Sequence, residues 1–200
     1  MTFAAVVLLG YVLGSCPWGY WLVRIFRHAD IRTIGSGGIG ATNVYRAYGR
    51  SLGIPVVLLD VLKGFVPAYL GAQLVSPLCG IVAGAAAMAG HYRPLFLRFQ
   101  KGGKMAATAG GATFALAPLV AVVCVAIWLV AFVLTRFASV ATIVTAVALG
   151  VLVIVFDYSW PIVVFGVAGA VAVIALHHQN IRRLFAGTEH RFELRRPRAN

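Results

Sequence analysis

Acidic side chains are scarce in this chain: its 200 residues include five Asp and Glu, against 17 Lys and Arg. Charged residues of both signs make up 11% of the sequence, whereas soluble domains carry roughly 25%. Hydrophobic residues make up 61%. Because a water-soluble globule needs a charged and polar surface, this composition excludes a soluble enzyme and a disordered chain.

Cysteine is also rare. Cys16, Cys79 and Cys124 lie in apolar stretches and lack the paired spacing of a metal site or a disulfide framework. The acidic residues are dispersed along the chain. We therefore expect no metal site and no cofactor, and a secreted disulfide-rich module is excluded.

Long apolar runs dominate the sequence instead. Five runs contain no Asp, Glu, Lys or Arg: residues 2–23, 64–90, 105–135, 137–156 and 158–176. A helix of about 20 apolar residues crosses a hydrocarbon core of ~30 Å, so each run is long enough or nearly so. The sequence predicts an all-α polytopic membrane protein, with a single integral membrane domain over residues 1–200.

The basic residues set the predicted topology. Fifteen of the 17 lie in three clusters, at positions 24–50, 93–104 and 182–198. The positive-inside rule assigns such clusters to the cytoplasm, which places the N-terminus outside. The third basic cluster places the C-terminus inside as well, which requires an even number of crossings after the second cluster. The run 105–135 is therefore expected to break near Pro118, and this gives about seven transmembrane helices, some short or half-length. We expect contact with membrane lipids and no nucleic-acid partner, because no basic segment is interleaved with stacking aromatics.

Loop one (Arg27–Arg50) is rich in glycine. From position 35 it reads Gly-Ser-Gly-Gly-Ile-Gly-Ala-Thr-Asn-Val-Tyr-Arg. Backbone N–H groups in such a loop converge on an anion, Thr42 or Asn43 is expected to cap the following helix, and Arg46 adds a bidentate cation. The spacing G-x-G-x-x-G also occurs in dinucleotide sites, but no strand precedes it here, so that fold is excluded. We favour an anion cradle over a flexible interhelical loop.

Loop two (His91–Lys104) ends in Lys-Gly-Gly-Lys at the start of an apolar helix. This is a second place where an anion meets cations and backbone amides. The spacing is not that of a Walker A loop. Ordinary cytoplasmic positive charge explains these residues equally well.

Two more polar groups stand out. In the third segment (His177–Glu189), His177 and Asn180 share one face if the helix continues, although a plain interfacial helix explains the segment slightly better. Asp60 and Lys63 lie one turn apart inside the second span. Because each costs roughly 2.5–3.5 kcal/mol when it faces lipid at mid-membrane, the two should face protein and pair, in a structural rather than a catalytic role.

In this order, the three segments resemble the acyl-phosphate-dependent glycerol-3-phosphate acyltransferase family (PlsY type), whose members are bacterial inner-membrane proteins of about this length. The resemblance covers nearly the whole chain and rests on the motifs at Gly35–Arg46, Asp60–Gly64, His91–Phe96, Gly102–Thr108 and His177–Glu189.

The chain departs from the family pattern at four positions. Gly38 stands where Asn is usual, Gln100 is an additional residue, Met105 replaces Gly, and His178 replaces a basic Arg.

The resemblance implies transfer of a fatty acyl group from acyl phosphate to the 1-hydroxyl of sn-glycerol 3-phosphate. The products are lysophosphatidate and inorganic phosphate, in the first step of phospholipid synthesis. It also implies a multi-pass protein of the bacterial cytoplasmic (inner) membrane, with the soluble enzyme that makes acyl phosphate as a candidate partner. The H-x-x-x-x-D pair of acyl-CoA-dependent acyltransferases is absent from the sequence.

With this resemblance, we assign glycerol 3-phosphate to Ser36, Arg46, Lys104, His177 and Asn180, of which His177, Ser36 and Lys104 are the candidate catalytic residues. We assign acyl phosphate to a cradle made of Gly35, Gly37, Gly38, Gly40, Thr42 and Asn43. The remaining substrate-binding candidates are Lys101, Gly102, Gly103, Ser139 and Glu189.

The base that accepts the hydroxyl proton is not obvious from the sequence. His177 is one candidate; the phosphate of the donor is the preferred alternative, because proximity and electrostatic stabilisation then supply most of the catalysis. Two other functions stay open: a transporter or exchanger of organic phosphates, and a non-catalytic paralogue.

Overall fold

The structure is a computed structural model that describes residues 2–192, and within this range it contains ten α-helices and no strand. The helices are α1 (Phe3–Gly14), α2 (Trp18–Arg27), α3 (Ala41–Tyr48), α4 (Arg50–Leu74), α5 (Pro77–Tyr92), α6 (Ala106–Leu116), α7 (Pro118–Thr135), α8 (Ala138–Val155), α9 (Trp160–Leu176) and α10 (His178–Phe185). The all-α prediction is confirmed.

The predicted spans reappear with one difference. The first apolar stretch is broken into α1 and α2 at residues 15–17, because Pro17 has no N–H to donate and the residue before a proline disfavours helical backbone. The predicted break near Pro118 is present, with Pro118 as the first residue of α7. Proline is well tolerated there, since the first N–H groups of a helix have no intrahelical acceptor.

Four segments of residues 2–192 are long and apolar enough to cross a membrane: Phe3–Arg27, α4, α7 and α8. A fifth forms if α9 and α10, which meet at an angle of 54°, are taken as one span. The shorter helices α5 and α6 pack inside the bundle, against α1 and α4. Together with these two, the segments correspond in sequence to the seven that were predicted.

Small residues allow the helices of the bundle to approach closely. A Cβ on Gly14 of α1 would lie 2.2 Å from the carbonyl oxygen of Ala87 in α5. A Cβ on Gly111 of α6 would lie 1.9 Å from the carbonyl oxygen of Val61 in α4. Such backbone-to-backbone contacts are typical of membrane helix packing, where dispersion replaces the hydrophobic effect.

The third segment differs from its prediction. A continuing helix was expected through His177, but the chain turns there by 54° into α10. The sequence of α10 is polar, His-Gln-Asn-Ile-Arg-Arg-Leu-Phe, so it cannot continue through an apolar layer as α9 does. The turn directs His177 and Asn180 inward, and both are buried.

Candidate functional site

The three polar segments meet at one cavity of about 390 Å³. Its polar mouth is lined by Ser36, Gly38, Gly40, Thr42, Asn43, Arg46, Lys101, Gly102, Gly103, Lys104, Ser139, His177, Asn180, Arg183 and Glu189. Every site residue predicted from the sequence is in this set except Gly35 and Gly37. Gly35 instead lines a smaller cavity next to Arg46.

Loop one is held in shape by Asn43. Its side-chain oxygen accepts a hydrogen bond from the Ser36 N–H, and its amide nitrogen donates to the carbonyls of Ile34 and Gly38, each at 2.9 Å. The expected side-chain cap is not formed: α3 begins at Ala41 with Gly40 as its N-cap, and no side chain bonds to that end. Asn43 is occupied inside the loop, so it shapes the cradle from behind.

Glycine at position 37 is required by the turn itself. Its φ is 68°, in the left-handed region that residues with a Cβ rarely adopt. Gly37 therefore sets the path of loop one without lining the cavity.

Loop two packs against His91. The N–H of Gly103 donates to the His91 carbonyl at 3.0 Å, and a Cβ on Gly103 would lie 1.9 Å from the ring nitrogen Nε2 of His91. Only glycine fits this approach, which presents Lys104 to the cavity. The next residue, Met105, has a φ of 65°, which is the backbone conformation that a glycine would adopt more easily. The additional residue Gln100 accepts a hydrogen bond from Arg32 at 3.0 Å.

Glu189 organises the opposite wall of the mouth. Its carboxylate accepts hydrogen bonds from Ser139 at 2.9 Å and from Asn180 and Arg183, each at 2.7 Å. Asn180 in turn accepts a hydrogen bond from Lys104. Burial raises the pKa of Glu189, but hydrogen bonds from Asn180, Arg183 and Ser139 outweigh it and hold this pKa below its usual value. One anionic side chain thus fixes four neighbours in place.

Positive charge exceeds negative charge at the mouth. Within residues 2–192, the cations Arg46, Lys101, Lys104 and Arg183 line the mouth, and Glu189 is the carboxylate among them. Burial, reinforced by the neighbouring Arg183, lowers the pKa of Lys104 to about 8, and burial also lowers the pKa of Arg46. Like charges held together in a partly buried site favour the binding of an anion.

His177 presents one defined ring nitrogen to the cavity. Its Nδ1 lies 2.7 Å from the carbonyl oxygen of Val173. Since a carbonyl only accepts, Nδ1 carries the hydrogen and, in the neutral ring, Nε2 is the acceptor. His177 can therefore accept a hydrogen bond or a proton from a hydroxyl group in the cavity.

A second charged group lies inside the bundle. Asp60 and Lys63 form the predicted ion pair at 2.8 Å, and both side chains are about 4% exposed. Lys63 also donates to the carbonyl of Cys16 at 2.9 Å, at the break between α1 and α2. His91 Nδ1 lies 3.7 Å from Asp60. Asp60 and Lys63 therefore connect the break between α1 and α2 to His91, the residue against which loop two packs.

The cavity continues from the mouth into an apolar groove, which is lined by Val57, Phe114, Val125, Trp128, Leu149 and neighbouring small residues. Ser139 and Leu149 both line the cavity from α8, and ten residues of helix span about 15 Å. Trp128 donates to Thr142 at 3.2 Å across the groove. The cavity therefore joins a cationic end to a long apolar one.

Among the charged, histidine and amide side chains that line the cavity within residues 2–192, four were not predicted as site residues from the sequence: Asp60, His91, Gln179 and Arg183. Arg183 follows Asn180 by three residues, and Gln179 precedes Arg183 by four, so the helical period of α10 was a usable signal for both. Asp60 and His91 meet only through tertiary packing. Within residues 2–192, no group of three or more His, Cys, Asp or Glu side chains is placed to hold a metal ion.

Comparison with known proteins identifies the family of this chain. The family described as glycerol-3-phosphate acyltransferase matches residues 4–187. The glycerol-3-phosphate acyltransferase of Synechococcus sp. (strain JA-3-3Ab) is 43% identical over 182 residues, 91% of this chain and 89% of the relative. That of Desulforudis audaxviator (strain MP104C) is 39% identical over 199 residues, 98% and 100% of the two chains.

Two solved structures of PlsY (YgiH), an integral membrane glycerol 3-phosphate acyltransferase, share the fold. The glycerol 3-phosphate form superposes with a TM-score of 0.91 at 36% identity, over 96% of each chain. The lysophosphatidic acid form superposes with a TM-score of 0.88 at 34% identity, over 96% of this chain and 95% of the other. This chain belongs to the glycerol-3-phosphate acyltransferase family of integral membrane proteins.

Proposed function

We propose that this protein transfers a fatty acyl group from acyl phosphate to the 1-hydroxyl of sn-glycerol 3-phosphate and releases lysophosphatidate and inorganic phosphate. One observation carries the proposal: a single cavity joins a cationic mouth, built from three separate segments, to an apolar groove. The reaction needs this combination, because both substrates bear a phosphate and one of them bears a lipid chain. The family and the PlsY structures support the same reaction.

The acceptor phosphate is assigned to Arg46 and Lys104. Both line the mouth, and charge-assisted hydrogen bonds to a phosphate are stronger than neutral ones. Asn180 positions Lys104 through their shared hydrogen bond. Ser36 and His177 line the same cavity, and we assign them to the glycerol hydroxyls.

The donor phosphate is assigned to loop one, with its acyl chain in the apolar groove. Gly38, Gly40, Ala41 and Thr42 of loop one line the mouth beside the start of α3, where backbone N–H groups without intrahelical acceptors favour an anion. Asn43 supports this cradle from behind through its bonds to the loop backbone.

The chemical step follows from this placement. The 1-hydroxyl oxygen attacks the acyl carbon, an ester C–O bond forms, and the bond between the acyl carbon and the phosphate oxygen breaks. The hydroxyl proton passes to the departing phosphate, which leaves as inorganic phosphate. Nε2 of His177 accepts a hydrogen bond from the 1-hydroxyl group and so orients this hydroxyl for attack. Lys104 and Arg46 stabilise the negative charge of the acceptor phosphate.

The orientation in the bacterial inner membrane follows from the basic clusters. We place the N-terminus outside and loop one, loop two, Arg136 and the third segment in the cytoplasm. Donor and acceptor then enter from the side where a soluble enzyme supplies acyl phosphate. Cysteine labelling at position 188 from the cytoplasmic side only is the expected result; labelling from the outside only contradicts it.

The function is tested with purified protein and radiolabelled glycerol 3-phosphate. Acyl phosphate should give lysophosphatidate without added divalent metal and in the presence of a chelator, and acyl-CoA should not. Efficient use of acyl-CoA, or loss of activity with chelator, contradicts the mechanism. Uptake of glycerol 3-phosphate into liposomes without acylation would point to a transporter instead.

A separate assay tests the base. Replacing His177 by Gln should lower the rate and leave the alkaline side of the pH profile unchanged, because the donor phosphate still takes the proton. If turnover disappears while acceptor binding stays normal, His177 is the base.

A further inference from the structure

The residues that follow Glu189 contact Arg46, a residue that lines the mouth of the cavity. We name His190–Phe192 the strap. It lies beyond residue 187, where the family match ends. Nothing in the reaction proposed above requires it.

The strap is anchored to the loop between α7 and α8 and to α7 itself. The N–H of Phe192 donates to the carbonyl of Arg136 at 2.9 Å, between α7 and α8. The Phe192 ring packs edge-on against Phe132 of α7, with 5.1 Å between centroids, and against Tyr45 of α3 at 5.6 Å. The ring of Phe192 thus bridges two helices that belong to different walls of the cavity.

The strap also holds the guanidinium of Arg46 from two directions. Arg46 Nη2 donates to the carbonyl of His190 at 2.7 Å. The central carbon of the guanidinium lies 4.7 Å from the centroid of the Phe192 ring, within the range of a cation–π contact. One edge and one face of the planar group are therefore occupied by the strap.

Arg46 lines both the main cavity and the small one beside it. Its Nε is buried and has no hydrogen-bond partner among the residues that the structure describes. A buried donor without a partner is costly, so this N–H is set for a ligand with an acceptor oxygen, such as a phosphate.

We infer that the strap positions Arg46 for the substrate. Phe192 and the His190 carbonyl hold the Arg46 guanidinium in one rotamer, so that its remaining N–H groups can bind the substrate phosphate without a further rearrangement of the side chain. A long side chain that is ordered before binding loses less conformational freedom on binding, which improves affinity. Phe192 is a positioning residue, since it acts through Arg46. This inference rests on the proposed assignment of a substrate phosphate to Arg46.

The first test replaces Phe192 by Ala. The KM for glycerol 3-phosphate should rise roughly three- to tenfold, as expected for the loss of one cation–π contact, with kcat within about twofold. Phe192→Tyr keeps the aromatic face and should retain the original KM. Phe185→Ala is the matched control, because Phe185 on α10 is 90% exposed.

A double-mutant cycle then shows whether Phe192 acts through Arg46. In an Arg46→Met background, Phe192→Ala should change KM by less than about twofold, since no guanidinium remains to be positioned. An equal rise of KM in both backgrounds overturns the inference, and so does a Phe192→Ala effect no larger than that of Phe185→Ala. A fall in kcat with KM unchanged has the same consequence.

Folding defects are separated by a second variant. Phe192→Leu keeps an apolar side chain against Phe132 and removes the aromatic face, so it should fold with an unchanged melting temperature and still raise KM. If Phe192→Leu leaves KM unchanged, the inference fails. Failure of the proposed function has a different signature: the unmodified protein then gives no lysophosphatidate from acyl phosphate, whatever the strap variants do.

Discussion

Two groups of charged side chains in this protein, one buried in the helix bundle and one at the mouth of the cavity, are built in opposite ways. Inside the bundle, Asp60 and Lys63 form a matched pair at 2.8 Å. At the mouth of the cavity, Arg46, Lys101, Lys104 and Arg183 surround one carboxylate, Glu189. The first group satisfies its own charge, whereas the second, among the residues that the structure describes, carries a surplus of positive charge that a bound anion can balance.

This difference separates residues that stabilise the fold from residues that bind a substrate. Removing one member of the matched pair leaves a buried charge without compensation, so its effect falls on stability. Removing one cation from the second group reduces the repulsion between like charges in the free protein. Such a substitution should therefore weaken the binding of an anionic substrate without lowering the stability of the fold. Stability and affinity measurements on the same variants therefore test the comparison.

The largest effect is expected for Asp60→Asn. The substitution keeps the size of the side chain but leaves Lys63 buried without its partner, which costs about 3–5 kcal/mol of folding free energy. The melting temperature in detergent should fall steeply. The double variant Asp60→Asn with Lys63→Met is the control and should recover most of the loss; a single variant as stable as the double one contradicts this role.

Lys104→Met should show the opposite pattern. A charged hydrogen bond to a phosphate contributes roughly 1.5–3 kcal/mol, which corresponds to a ten- to hundredfold rise in KM for glycerol 3-phosphate. The melting temperature should stay the same or rise, because like charges are removed. Arg98→Met is the matched control, since Arg98 is exposed in the same loop and does not line the cavity.

Arg46→Lys tests geometry apart from charge. Lysine keeps the positive charge but loses the planar fork and the contact with the strap. The KM for glycerol 3-phosphate should rise on the order of ten- to a hundredfold, more than kcat falls. Steady-state kinetics that show a fall in kcat with unchanged KM would remove Arg46 from the acceptor site.

The pH dependence of the KM for glycerol 3-phosphate tests the role of Lys104. Its pKa is lowered to about 8, so Lys104 is charged below that pH and neutral above it. The KM for glycerol 3-phosphate should therefore increase as the pH rises through about 8. In the variant Lys104→Arg the side chain stays charged, and the increase should disappear; an unchanged alkaline limb assigns the titration to another group.

The smallest effect is expected for a third pair, at the surface. Asp30 and Arg32 are bonded at 2.6 Å, with side chains that are 26% and 34% exposed. Exposed pairs contribute about 0–1 kcal/mol. Asp30→Asn should therefore shift the melting temperature only slightly, and a loss as large as that of Asp60→Asn would break the distinction between buried and exposed pairs.

Much of this architecture could be predicted from the sequence because the signals are local. Apolar runs and Pro118 gave the helices and the break between α6 and α7, and the spacing of Asp60 and Lys63 gave their pair. The bend at His177 and the break at Pro17 were missed. The apolar runs do not carry either feature, because the break follows from the missing N–H of Pro17 and the bend from the polar sequence of α10.

The site was predictable in its residue types and less so in its roles. Gly, Lys and Arg at loop positions indicate an anion site, but the sequence did not show that Asn43 bonds to its own loop. The seat of Gly103 on His91 joins positions that only the tertiary fold brings together. The same holds for the strap on Arg46, where residues 144 positions apart share a hydrogen bond.

The most direct test is calorimetric titration of glycerol 3-phosphate into three proteins: the unmodified chain, Lys104→Met, and the double variant Asp60→Asn with Lys63→Met. Lys104→Met should lose at least about tenfold in affinity, because it removes one of the surplus cations. The double variant should keep its affinity within about threefold, because it removes a pair that was already balanced. If the double variant loses as much affinity as Lys104→Met, or if Lys104→Met binds as tightly as the unmodified protein, the division between the two charge groups is wrong.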